Sequence, residues 1–242
     1  MNERRLLFWG LAVALTACEG RGRFPGQPSA ENDVADPRQV VSFETLYASN
    51  CSGCHGARGQ GGAAIGLASP GYLAIAPDVV IRKIIADGRP KTAMPAFAQS
   101  AGGMLSDAQI DALVAGIRAW APAGLRPDPE APPYQATEPG DPQRGAQAFR
   151  DHCGSCHGVD GRGGRGGGSI VDGAFLALVS DESLRTTIIA GRPDLGSPDW
   201  RGAGGTPMSA RDVSDTVAWL AAQRQKFPGQ PYPSAQADGR QR

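Results

Sequence analysis

The chain has 242 residues and a mass of 25.1 kDa, long for one small domain and sufficient for two. Its 34 glycines and 20 prolines, against 6% aromatic residues, point to small, loop-rich domains rather than one large core. Lys+Arg and Asp+Glu both number 24, so no basic excess supports nucleic-acid binding, and the lack of any apolar run of about eighteen residues excludes a polytopic membrane protein.

Arg4 and Arg5 precede an apolar run over residues 6–17, interrupted only by Gly10 and Thr16. A basic flank before a run too short to span a bilayer reads as an export signal. The run ends in Leu15-Thr16-Ala17-Cys18, which resembles the lipobox of bacterial lipoproteins. The resemblance implies cleavage before Cys18 and its acylation, placing the protein outside the cytoplasm on the periplasmic side of a bacterial membrane. An ordinary signal peptide or a short uncleaved anchor are the alternatives. Removing residues 1–17 deletes Glu3, Arg4 and Arg5 and leaves a formal charge of −1. Residues 18–37 read as a flexible Gly/Pro/Ser tether.

Two similar segments follow, 38–121 and 141–226, separated by a Pro-rich linker over 122–140. Cys51-Ser52-Gly53-Cys54-His55 matches Cys153-Gly154-Ser155-Cys156-His157 at an offset of 102, and residues 78–90 match 181–193 at an offset of 103. Each copy is expected to open with a helix. Phe43, Leu46 and Tyr47 mark it in the first copy, and Asp141 as cap with Pro142 in the first turn marks it in the second. A glycine-rich loop comes next, then a short helix ending at Gly88 or Gly191. The last helix begins at Ser106 with Gln109 three residues on, the pattern of a capping box. Its apolar positions Ile110, Leu113, Val114 and Ile117 recur as Val213, Thr216, Val217 and Leu220. No alternating strand pattern is present. A Pro/Gly-rich tail over 227–242 reads as disordered.

Cys-x-x-Cys-His is the attachment signature of c-type haem: one helical turn sets both sulfurs along one porphyrin edge, and the next residue offers imidazole to the iron. A four-cysteine zinc site would have to join pairs about a hundred residues apart and leave both histidines unused. A thioredoxin-like dithiol needs a βαβ setting that this sequence lacks. The segment 38–226 resembles the class I c-type cytochrome family, as two fused domains. The resemblance implies an all-α fold and two covalently bound haem c groups. Cys51, Cys54, Cys153 and Cys156 would form the thioethers, and His55 and His157 would be the proximal iron ligands.

Only His152 remains of three histidines, directly before Cys153, so bis-His ligation of both haems is excluded within one chain. Methionine is the other usual distal ligand. Ala93-Met94-Pro95-Ala96-Phe97 looks like the family's distal-ligand loop, which makes Met94 the candidate in the first copy; Met104 reads as packing. The second copy departs from the pattern, because the offset of 103 places Ser197 on Met94 and Met208 on Leu105. Either that loop is rearranged so that Met208 reaches the iron, or the second haem lacks a protein sixth ligand. Arg89 and Arg192 are candidates for haem propionates or for solvated surface charges, and Trp120 and Trp219 for core.

The resemblance implies a non-enzymatic, membrane-tethered electron carrier between redox protein partners of a respiratory or photosynthetic chain, or a fixed cytochrome subunit of a quinol-oxidising or oxidase complex. An open sixth position in the second copy would instead suit a haem enzyme or a gas- or peroxide-binding protein.

Overall fold

The computed structural model describes residues 36–90 and 92–225. By packing, the chain divides into Met1–Pro37 and Arg38–Arg242. The expected export signal over 1–17, Cys18, nearly all of the expected tether over 18–37 and the 227–242 tail lie outside the described residues.

Ten α-helices and no strand occur among the described residues, in two runs of five. The first lobe comprises α1 (Phe43–Asn50), α2 (Ser52–His55), α3 (Pro70–Ile75), α4 (Asp78–Asp87) and α5 (Asp107–Ala119). The second comprises α6 (Pro142–His152), α7 (Gly154–His157), α8 (Gly173–Leu178), α9 (Asp181–Ala190) and α10 (Ala210–Ala222). The all-α expectation holds.

Local chemistry places the ends of these helices. The Asp141 carboxylate accepts the Gln143 and Arg144 amides, and Pro142 fills the first turn of α6. Ser106 and Gln109 form the capping box of α5; Ser209 and Asp212 form its counterpart on α10. Gly88 and Gly191 end α4 and α9 with φ of 68° and 71°. The sequence reading misses α3 and α8, each six residues long and too short to show a helical period.

In each lobe the first and last helices cross over a glycine. A methyl group on Gly116 of α5 would overlap the Phe43 ring of α1, and one on Gly145 of α6 would overlap the Asp215 carbonyl oxygen of α10. Around these crossings Leu46, Tyr47, Ile110, Leu113 and Ile117 fill the first core, and Phe149, Val213, Val217 and Leu220 fill the second. Thr216, the counterpart of Leu113, is fully buried, and its hydroxyl finds no hydrogen-bond partner among the described residues. The second core is additionally tied by Asp215, whose carboxylate receives Arg144 Nε (2.7 Å), Arg144 Nη2 (3.0 Å) and the Asp141 amide (2.7 Å).

The lobes share an interior. Tyr134 of the linker and Ala190 of α9 belong to the first core, while Ile75 of α3 packs against Ile189, Trp200, Met208 and Val213. Arg185, 4% exposed, fastens the linker: Nε and Nη2 donate to the Pro133 carbonyl at 3.0 and 2.8 Å, and Nε also reaches Tyr134 O at 3.1 Å.

Gly145→Ala is expected to destabilise the protein by about 1–3 kcal/mol, because the new methyl meets backbone rather than a side chain that can turn away; chemical denaturation measures it. Burial alone would raise the Asp215 carboxyl, but the Arg144 and Asp141 hydrogen bonds outweigh it and hold the group below the usual carboxylate range. A depressed carboxyl contributes stability above its unfolded value of roughly 3.9 and loses it as pH falls through the folded value. Asp215→Asn should therefore melt below the wild type at pH 7, with the gap narrowing as the pH drops below about 4.

Candidate haem sites

Each Cys-x-x-Cys-His segment begins at the C-terminal end of the lobe's first helix. The Cys51 amide donates to Tyr47 O (2.9 Å) and the Cys153 amide to Phe149 O (2.8 Å), so the first helix runs straight into the motif. The next turn is helical, with the His55 amide bonded to Cys51 O and the His157 amide to Cys153 O, both at 3.0 Å. None of the four motif cysteines is paired in a disulfide. Burial, with a smaller contribution from the neighbouring cysteine, pushes Cys51 and Cys153 up to about 11. That is the opposite of a reactive dithiol, whose thiolate is favoured at neutral pH. Among the described residues no three His, Cys, Asp or Glu side chains gather into a metal cluster, so the two cysteine pairs do not form a common zinc site.

The glycine-rich loop then folds back under the histidine. His55 Nδ1 lies 2.8 Å from Ile65 O, ten residues on, and His157 Nδ1 lies 2.9 Å from Gly168 O, eleven residues on. A carbonyl only accepts, so Nδ1 carries the hydrogen, and in the neutral ring the Nε2 lone pair is left for a metal. Burial pushes the His55 imidazole below its ordinary value; the Ile65 bond opposes this, and the charges of Arg192 and Arg89 add to it. The neutral, ligating form is thereby favoured. The stretch from histidine to carbonyl is one residue longer in the second lobe. The carbonyl partners were invisible to motif reading.

Trp120 and Trp219 hold these loops rather than facing solvent. The Trp120 ring lies where a methyl on Gly59 would be, edge-on to Phe43 and Tyr47, and Trp219 stacks on Phe149 at 4.3 Å.

Of the methionines, Met94 is half-buried in the loop before α5, its carbonyl accepting the Arg89 amide at 3.0 Å. Met104 is 81% exposed, contrary to the packing role expected from sequence. The turn at Gly102 (φ 87°) aims it outward and leaves Leu105, 7% exposed, to pack instead. Met208 is 5% exposed, and its amide donates to Trp200 O at 2.8 Å, as Leu105 N does to Phe97 O.

Both arginines weighed as propionate partners lie between the lobes. Arg89 donates to Tyr134 Oη (2.7 Å) and pairs with Glu182 (3.2 Å). Arg192 pairs with Asp194 (2.7 Å) and donates to Gly62 O of the first lobe (2.7 Å). The Asp194 carboxylate fills the space beside Gly61, whose φ of 111° suits glycine alone.

The residues fit a covalently held haem: paired thiols, an imidazole presented through Nε2, and a glycine cradle in which a methyl on Gly167 would collide with the His157 ring. An all-α lobe with this motif defines a c-type cytochrome. The chain belongs to the family described as "Cytochrome C oxidase, cbb3-type, subunit III", whose model matches residues 38–115 and 140–220; it is an electron-transfer protein holding haem c covalently.

Among curated proteins, the cytochrome bc1 complex cytochrome c subunit of Mycobacterium tuberculosis is 28% identical over 202 residues, covering 79% of this chain and 69% of that subunit. Dihydro-heme d1 dehydrogenase of Pseudomonas aeruginosa is 35% identical over 111 residues, covering 46% of this chain and 18% of the relative. Among solved structures, the reducing HAO-like protein complex of Kuenenia stuttgartiensis aligns with a TM-score of 0.42 and 18% identity, covering 76% of this chain and 96% of that one.

Arg89→Met should loosen the two lobes by about 1–3 kcal/mol, since it leaves the Tyr134 hydroxyl and Glu182 without their partner. Faster cleavage of the linker in limited proteolysis is the expected readout.

Proposed function

We propose that the chain is a dihaem electron carrier of a respiratory chain, with one haem c in each of two domains, 38–121 and 141–226. Cys51 and Cys54 form the thioethers of the first haem, and Cys153 and Cys156 those of the second. His55 and His157 are the proximal ligands, and Met94 is the distal ligand of the first iron. The observation that carries this reading is the repeated helical Cys-x-x-Cys-His turn, each histidine tied through Nδ1 to a loop carbonyl.

Bound haem supplies reversible one-electron chemistry. The chain's own residues do the rest. Ile65 O and Gly168 O orient the imidazoles, the buried helices exclude water, and the Arg89 and Arg192 contacts hold the two sites in one body. Electrons can then pass within the chain as well as to outside partners. The likeness to a bc1-complex cytochrome c subunit supports a redox protein partner in a quinol-oxidising complex. The Leu15-Thr16-Ala17-Cys18 sequence supports a lipid anchor at Cys18 that keeps the carrier on the periplasmic face of the membrane. A tether and a relay between membrane complexes suit one another, because confinement to the surface raises the effective concentration of carrier and partner.

The purified protein should contain two haems per chain by pyridine haemochrome assay. The Cys153→Ala/Cys156→Ala double variant should retain one covalent haem. Cys18→Ser should move the protein from the membrane fraction to the soluble one. A single haem in the wild type, or a membrane-bound Cys18→Ser variant, would overturn the corresponding part of the reading.

A further inference from the structure

We propose that the second lobe gives its haem iron no thioether: Ser197 occupies the distal-ligand register, Met208 is a core residue of the seam between the lobes, and the sixth position of that iron binds a small neutral diatomic ligand. The inference rests on the reading that each lobe holds a haem c.

Backbone hydrogen bonds fix the register independently of any alignment. In the first lobe the Arg89 amide donates to Met94 O at 3.0 Å and the Leu105 amide to Phe97 O at 2.8 Å. In the second, the Arg192 amide donates to Ser197 O at 3.0 Å and the Met208 amide to Trp200 O at 2.8 Å. Gly88 abuts Pro95 and Ala96 as Gly191 abuts Pro198 and Asp199. At these bonds the two loops share one register, with Ser197 where Met94 stands and Met208 where Leu105 stands.

Met208 is committed elsewhere. It is 5% exposed, clustered with Ile189, Trp200 and Val213, with Ile75 of the first lobe packed against the same cluster. The segment before it is also pinned. Ser197 N donates back to Arg192 O at 3.0 Å, Trp200 N bonds to Ile189 O at 3.2 Å, and Arg192 reaches Gly62 O across the seam at 2.7 Å. Carrying Met208 to an iron on this loop's side would undo these bonds and empty part of the shared core.

Nor does another donor of the usual kinds replace it. Of four methionines, Met1 lies in the export segment, Met94 serves its own loop and Met104 is 81% exposed beside it. His152, the last residue of α6, precedes Cys153 and so stands on the side of the thioether turn. A serine hydroxyl is a hard oxygen donor, poorly matched to ferrous haem iron. Reduced haem iron with an open axial position favours soft, neutral π-acceptor diatomics, and carbon monoxide is the probe for that class.

The test uses purified holoprotein with haem content measured on the same sample. The reduced protein should take up one carbon monoxide per two haems. The oxidised protein should show the weak iron–thioether charge-transfer band at the intensity of one haem in two. Met94→Leu should abolish that band, while Met208→Leu, a volume-conserving change, should leave band and carbon monoxide stoichiometry unaltered. Ser197→Met should double the band and suppress carbon monoxide binding. Loss of half the band in Met208→Leu, or a reduced wild type that binds no carbon monoxide, overturns the proposal. Two haems by pyridine haemochrome with either of those results leaves the dihaem reading intact; one haem per chain defeats both.

Discussion

In both lobes the first and last helices approach so closely that a methyl group does not fit at the crossing, and the segments that carry the chemistry hang from that contact. The Cys-x-x-Cys-His turn follows the first helix directly, with the first cysteine as the only residue between them, and the loop with Met94 or Ser197 enters the last helix through a capping box. Locking the two helices together therefore sets the separation between the proximal and distal segments before any cofactor is considered. The lobes reach this by different means. Gly116 on the last helix admits Phe43 in the first lobe, whereas Gly145 on the first helix admits the backbone of α10 in the second.

Each lobe alone buries a modest core, and the two share part of it. Tyr134 and Ala190 enter the first core, and Ile75 enters the cluster around Met208. Polar side chains reinforce the arrangement by capping backbone carbonyls that the short helices leave unsatisfied. Arg118 donates to Leu73 O and Ala76 O at 2.6 Å and pairs with Asp78. Arg224 does the same for Leu176 O, Val179 O and Asp181. The linker is a structural element: it is fastened to the second lobe by Arg185 and to the first through Tyr134 and Arg89.

Duplication of a fold does not oblige duplication of its chemistry. The backbone of the distal loop is reproduced, including the carbonyl and amide that hold it, while the side chain in the ligand register changes from thioether to hydroxyl. On the reading proposed above, one half of the chain remains a relay while the other has a position open to small molecules.

Sequence alone determined the anchoring chemistry and most helix ends, because these depend on neighbours in the chain: two cysteines one turn apart, Asp141 before Pro142, Ser106 before Gln109, Gly88 and Gly191 after the last turn. It also placed Ser197 on Met94 through the constant offset of 103. Tertiary structure decided what distant residues do. Arg118 and Arg224 perform one task although the offset assigns Ala221 to Arg118: Arg224 comes three residues later, just past the end of α10, and still reaches the carbonyls at the end of α8. Arg89 and Arg192 became joints between lobes, Met104 turned outward, and Met208 went into the shared core. Burial against a partner segment far along the chain leaves no trace in local spacing.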